Sequence, residues 1–183
     1  MTSFPFLPRL RRFRDAEDGV IAVEAVVVIP FLVWSFLALF ALTDVYRSQH
    51  ANTTSSYTIV DALSRETEAV NAAYIEGLNN LHTQMTRARA ATKMRATHVW
   101  FDGGDNQLEV RWSYGTGELP ALTTATLSEI RARIPTLSNG ESVIVVETWM
   151  PYSPIVDYLV EDLNIYKLVV SRPRYAPTIA WAN

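Results

Sequence analysis

The stretch RRFRDAEDGVIAVEAVVVIPFLVWSFLALFALTDVYR, residues 11–47, decides how this chain is read. An apolar run starts directly after Gly19 and continues to Leu42, interrupted only by Glu24, Ser35 and the amphipathic Trp34. At about 1.5 Å per residue, a helix of this length spans the roughly 30 Å hydrocarbon core of a bilayer. A plain anchor gains nothing from a carboxylate, so Glu24 asks for its own explanation. Pro30 removes one backbone donor inside the run and predicts a helix kink, which neighbouring helices tolerate in a membrane.

The flanks set an orientation. Arg9, Arg11, Arg12 and Arg14 precede the run, whereas only Arg47 follows it closely. Acidic residues weigh little in this balance, so Asp15, Glu17 and Asp18 do not cancel the arginines. The N-terminus is expected in the cytoplasm and everything after Asp44 outside. A secretory signal cut beyond the run would have a shorter apolar core and a small-residue site, which ALFALTD matches poorly.

Composition excludes several functions. The 183 residues carry 16 Lys and Arg against 19 Asp and Glu, for a net charge of -3, so no global basic bias points to nucleic acid. There is no cysteine, hence no disulfide framework and no thiolate metal or redox site. His50, His82 and His98 lack metal-ligand spacing and read as surface or packing residues. No nucleophile-elbow, Walker or dinucleotide-binding signature occurs, so neither an enzyme nor a cofactor is expected.

Beyond the apolar run, Tyr46, Thr53, Tyr57, Val60 and Leu63 fall near helical spacing, so the helix is expected to continue past the weak helix formers at 52–56. Asn52-Thr53-Thr54 matches a glycosylation sequon by chance. Tyr74, Leu78, Leu81, Met85 and Ala88 predict the buried face of an amphipathic helix. Arg87, Arg89, Lys93 and Arg95 read as its solvated, dipole-matched end. Leu108, Val110, Trp112 and Tyr114 alternate with Glu109, Arg111 and Ser113, predicting a half-buried strand. DGGDN, residues 102–106, lacks calcium-ligand spacing and reads as the hairpin turn before it. Thr126 and Glu129 have capping-box spacing for a short helix burying Leu127, Ile130 and Ile134 and stopping at Pro135. A buried strand over 142–150, a helical or irregular stretch over 155–163 and a last strand over 165–174 complete an α+β chain: a long N-terminal helix, then helices packed on an antiparallel sheet.

The arginine flank, Asp18-Gly19 and then VIAVE resemble a type IV prepilin signal. The resemblance implies that a prepilin peptidase cuts after Gly19, so that Val20 becomes the new N-terminus and Glu24 the fifth residue. Glycine keeps that bond free of a side chain and extended. The chemistry is intelligible in itself: the Val20 α-amino group, with a reference pKa of about 8, is mostly protonated at neutral pH. A carboxylate near a helix start is favourable, and an ammonium–carboxylate pair between neighbouring subunits relieves two buried charges.

DGVIAVEAVVVIPFLV, the VIVVETWMPYSPI strand and turn, and KLVVSRPRYAP with its Arg172-Pro173-Arg174 together resemble the TadE-like minor pilins (pseudopilins) of the Tad/Flp tight-adherence pilus system. Ala25 departs from the phenylalanine many relatives carry after the glutamate, and residues 71–139 match nothing in the family pattern. The resemblance implies a cytoplasmic leader over 1–19, a transmembrane helix over 20–43 and a periplasmic α+β domain over 44–183, in the bacterial inner membrane. It implies a role in pilus assembly for adhesion and biofilm, with a prepilin peptidase, a second minor pilin, inner-membrane platform proteins and an Flp-type major pilin as partners. The alternative is an uncleaved single-pass protein with a periplasmic scaffold or sensor domain; a tethered periplasmic enzyme is a third reading.

Overall fold

The computed structural model describes residues 18–154 and 161–182, with side chains from Val23 onward. It divides into two units, Met1–Leu42 and Thr43–Asn183. The fold is α+β. Helix α1 (Asp18–Ser64) and helix α2 (Ala72–Thr86) precede strands β1 (Lys93–Asp102), β2 (Gln107–Gly115), β3 (Ser142–Tyr152) and β4 (Leu163–Ser171). The strands form one sheet in the order β2-β1-β3-β4, antiparallel throughout.

In the first unit, α1 exposes apolar side chains on all sides: Val26, Phe31, Phe36 and Leu42 are each at least 63% exposed. A helix apolar all round needs an apolar surrounding, and this one is long and apolar enough to cross a membrane. The Ser35 hydroxyl donates to the Phe31 carbonyl at 2.8 Å, which satisfies it without leaving the helix.

In the second unit, α1 continues as expected but turns a different face inward. Val60 and Leu63 are buried, whereas Tyr46 and Tyr57 are exposed. Asn52, Ser55 and Ser56 take their place, fully buried. The Ser56 hydroxyl lies 2.8 Å from Thr148 Oγ1, the Asn52 amide donates to the Ile165 carbonyl, and Thr148 donates to Asn52 Oδ1. These weak helix formers are kept helical because Asn52 and Ser56 bond to the sheet and Ser55 to His82 of the second helix, rather than to their own backbone alone. Burial of Asn52 also removes the sequon as an acceptor.

The α2 face is likewise rotated from the expected one. Ile75, Leu78, Asn79 and His82 are buried, while Leu81 and Met85 are about 40% exposed. Both stripes have helical spacing, and the buried one is partly polar, with Asn79 bonded through both amide atoms and His82 through Nδ1 alone. The Asn79 amide donates to the Thr92 carbonyl and accepts from Thr92 Oγ1, both at 3.1 Å, and Ser55 Oγ is 2.8 Å from His82 Nδ1. Asn71 caps the N-terminus by accepting from Tyr74 N–H.

The DGGDN stretch is the hairpin turn between β1 and β2, as expected. A β-bulge between β1 and β2 then splits the alternation of β2. His98 pairs with Trp112 but Val99 pairs with Val110, leaving Arg111 as the extra residue. Trp112 and Tyr114 therefore join the core under the helices, with Ile59, Leu63, Ile75, Met94, Ile144 and Val146. Leu108 and Val110 join a second core on the other face, with Val99, Val143 and Val145. Leu127, Ile130 and Ile134 close that second core as expected, but from two 3-10 turns (Thr126–Glu129 and Arg131–Arg133) rather than an α-helix. The capping box does not form: Ala125 is the N-cap and offers no side-chain bond.

Lys93 and Arg95 belong to β1 and not to the end of α2. β3 runs two residues beyond the expected Met150; Pro151 fits because its β1 neighbour has already ended at Lys93, opposite Trp149. Leu163 opens β4, which stops at Ser171, short of the expected 174. Residues 155–160 of the expected irregular stretch lie outside the described residues.

Candidate functional site

Gly19 and Val20 lie within α1, helical rather than extended, and Glu24 follows Val20 by four residues, about one helical turn. The Glu24 side chain is exposed. Pro30 is inside α1, which is helical on both sides of it. Arg9, Arg11, Arg12 and Arg14 lie outside the described residues.

A second candidate lies in the other unit, where a groove of about 450 Å³ opens beside the end of α2. Asp44 and Arg47 reach it from α1, Arg87 and Arg89 from the segment after α2, and Met150 and Tyr152 from β3. The Tyr152 hydroxyl donates to Asp44 Oδ2 at 2.7 Å. Burial, then the bond to Asp44 and its charge, push the Tyr152 phenol up to about 12, opposed by Arg89. Arg87 holds a left-handed backbone, φ 51°. Its N–H donates to the Gln84 carbonyl, and Ala88 N–H donates to the Thr83 carbonyl, the paired bonds of a Schellman ending. Sequence reasoning grouped Arg87 and Arg89 with the wrong neighbours: Arg47, distant along the chain, joins them, and nothing local signals it.

A third cluster is buried on the far side of the sheet. Arg95 Nε and Nη2 both approach Glu147 Oε2 at 2.7 Å, and Arg95 Nη1 donates to the Pro120 carbonyl. The Tyr166 hydroxyl donates to Glu147 Oε1 at 2.8 Å; burial, then Glu147, raises its pKa. Arg95 also lies over the Trp149 ring, and Arg133 over Tyr166. Every charge here has a partner, which marks a structural clasp.

His50 is exposed, but His82 and His98 are buried. His82 Nε2 and both ring nitrogens of His98 have no hydrogen-bond partner among the described residues. His98 stacks on Trp112, with ring centroids 5.9 Å apart. Burial pushes both imidazoles down to about 4, helped at His98 by Arg111. They are neutral packing groups at physiological pH. Among the described residues no cluster of three or more His, Asp or Glu could hold a metal. Comparison with protein-family models, curated proteins and solved structures gives no match.

Proposed function

We propose that the chain is a TadE-like minor pilin, held in the bacterial inner membrane by α1 with residues 44–183 on the periplasmic side. A prepilin peptidase removes residues 1–19, and the mature chain joins a second minor pilin, the inner-membrane platform and an Flp-type major pilin in a Tad/Flp-type pilus serving surface adhesion. The observation that carries this reading is one helix, Asp18–Ser64, that contains Gly19, Val20 and Glu24, continues as an apolar span and ends inside a folded domain. The domain acts by packing against other subunits rather than by chemistry.

Co-expression with an active prepilin peptidase is expected to yield a membrane-extracted chain whose intact mass starts at Val20. Gly19→Trp is expected to block the cut and leave insertion unchanged, because the arginine flank and apolar span remain. A wild-type chain that keeps residues 1–19 beside active peptidase overturns the pilin reading and favours an uncleaved scaffold or sensor.

Glu24 has its effect later, in assembly. Near the membrane edge its insertion costs well below the roughly 2.5–3.5 kcal/mol of a charge at a helix centre, so Glu24→Gln and Glu24→Ala are expected to be inserted and cut. Both are expected to fail to restore pili in a deletion strain, since the Val20 ammonium of a neighbouring subunit is left unpaired in an apolar bundle. Wild-type piliation by both variants removes the pairing role.

A further inference from the structure

We propose that the groove formed by Arg47, Arg87 and Arg89 holds the phosphate of an anionic phospholipid headgroup at the outer face of the membrane. The inference rests on reading α1 as a membrane span and is independent of the pilin role. Asp44 and Arg47 follow the end of the apolar run, Leu42, by two and five residues. At about 1.5 Å per residue that is headgroup depth.

Three observations favour an anion. Four other arginines are ion-paired: Arg65 and Arg174 with Asp61, Arg95 with Glu147 and Arg172 with Glu141, while Arg111 and Arg133 lie over aromatic rings. Arg47, Arg87 and Arg89 form no ion pair among the described residues, although all three are exposed around one groove. Among its described lining residues the groove is net cationic, with three guanidiniums against the single carboxylate of Asp44, which accepts from Tyr152. Finally, Arg87 occupies a left-handed helix-ending position that glycine takes without strain. An arginine there costs stability, and what it adds is a cationic fork at the groove, suited to a phosphate.

The test uses the full-length chain in nonionic detergent, scored by native mass spectrometry for retained phosphatidylglycerol against phosphatidylcholine. Wild type is expected to retain phosphatidylglycerol preferentially, and millimolar inorganic phosphate is expected not to displace it. One basic side chain at an anionic membrane surface is worth about fivefold, so the triple variant R47Q/R87Q/R89Q is expected to lose on the order of a hundredfold. Arg87→Gly is expected to lose about fivefold in retention while its Tm stays level or rises, a combination that a purely structural role for Arg87 does not produce. Equal retention of the two lipids, or retention unchanged in the triple variant or in Arg87→Gly, overturns the proposal; displacement by inorganic phosphate replaces the lipid with a free anion. Release of the wild-type chain from membranes by alkaline carbonate overturns the membrane span and this site together, whereas firm retention without lipid preference overturns this site alone.

Discussion

Arg95→Ala is expected to destabilise the folded chain by about 3–5 kcal/mol, the usual cost of removing one partner from a buried ion pair. Glu147, 2% exposed, is left with the Tyr166 hydroxyl as its remaining bond, and the Pro120 carbonyl loses its donor. Glu147→Ala is expected to cost a similar amount by stranding the guanidinium. For a domain of this size each kcal/mol moves Tm by about 2–4 °C, so either variant unfolds roughly 10 °C lower, followed by tryptophan fluorescence of the detergent-solubilised full chain. The paired replacement Arg95→Met with Glu147→Leu is expected to recover most of the loss, because an apolar pair needs no desolvated charge. A single-variant loss below about 1 kcal/mol would show that the clasp is effectively solvated.

Acid is expected to unfold the domain through His82 and His98. Both rings titrate near 4 in the fold, against 6.5 for an unperturbed histidine. Between these values the unfolded chain binds protons that the folded one does not, so stability falls as pH drops from about 6.5 to about 4. The slope is at most about 1.4 kcal/mol per pH unit per ring, and below pH 4 the histidine contribution is flat. Urea midpoints measured at pH 7.5, 6.0 and 4.5 check this. His82→Gln and His98→Gln are each expected to reduce the slope over that range; an unchanged slope in both would assign the acid sensitivity to carboxylates instead.

Element identity was largely legible along the chain, because periodicity and turn residues are local. The apolar run, the QLEVRWSY alternation and the VIVV core each became the element they predicted. Facing was harder to read. In α2 the apolar stripe through Leu81 and Met85 lost to one containing Asn79 and His82, whose burial is helped by bonds to Thr92 and Ser55 from distant parts of the chain. The Arg111 bulge sent half of β2 to the opposite core, and no residue type marks such an insertion. The 126–134 stretch has the three-residue step from Leu127 to Ile130 that suits a 3-10 turn as well as an α-helix. Of the candidate sites, Gly19, Val20 and Glu24 could be named because the resemblance to a prepilin signal is a local one. The arginine groove could not, because its members meet only after three elements have packed.

The hydroxyl and amide seam of α1 has a consequence for the order of folding. Its bonds to Thr148 and Ile165 close loops of 92, 96 and 113 residues. The chain's end adds comparable closures: Val70 bridges Trp181, and the Trp112 indole donates to the Ile179 carbonyl. Contacts this distant form slowly, since closure entropy is lost before they contribute. While the chain emerges N-terminus first, Ser55 meets its partner His82 once α2 is made, but the Asn52 amide and the Ser56 hydroxyl lack their sheet partners until β3 and β4 arrive. Small polar groups can wait in water, where a leucine stripe would recruit other chains. The seam therefore adds no apolar surface to the nascent chain during the interval before its sheet exists.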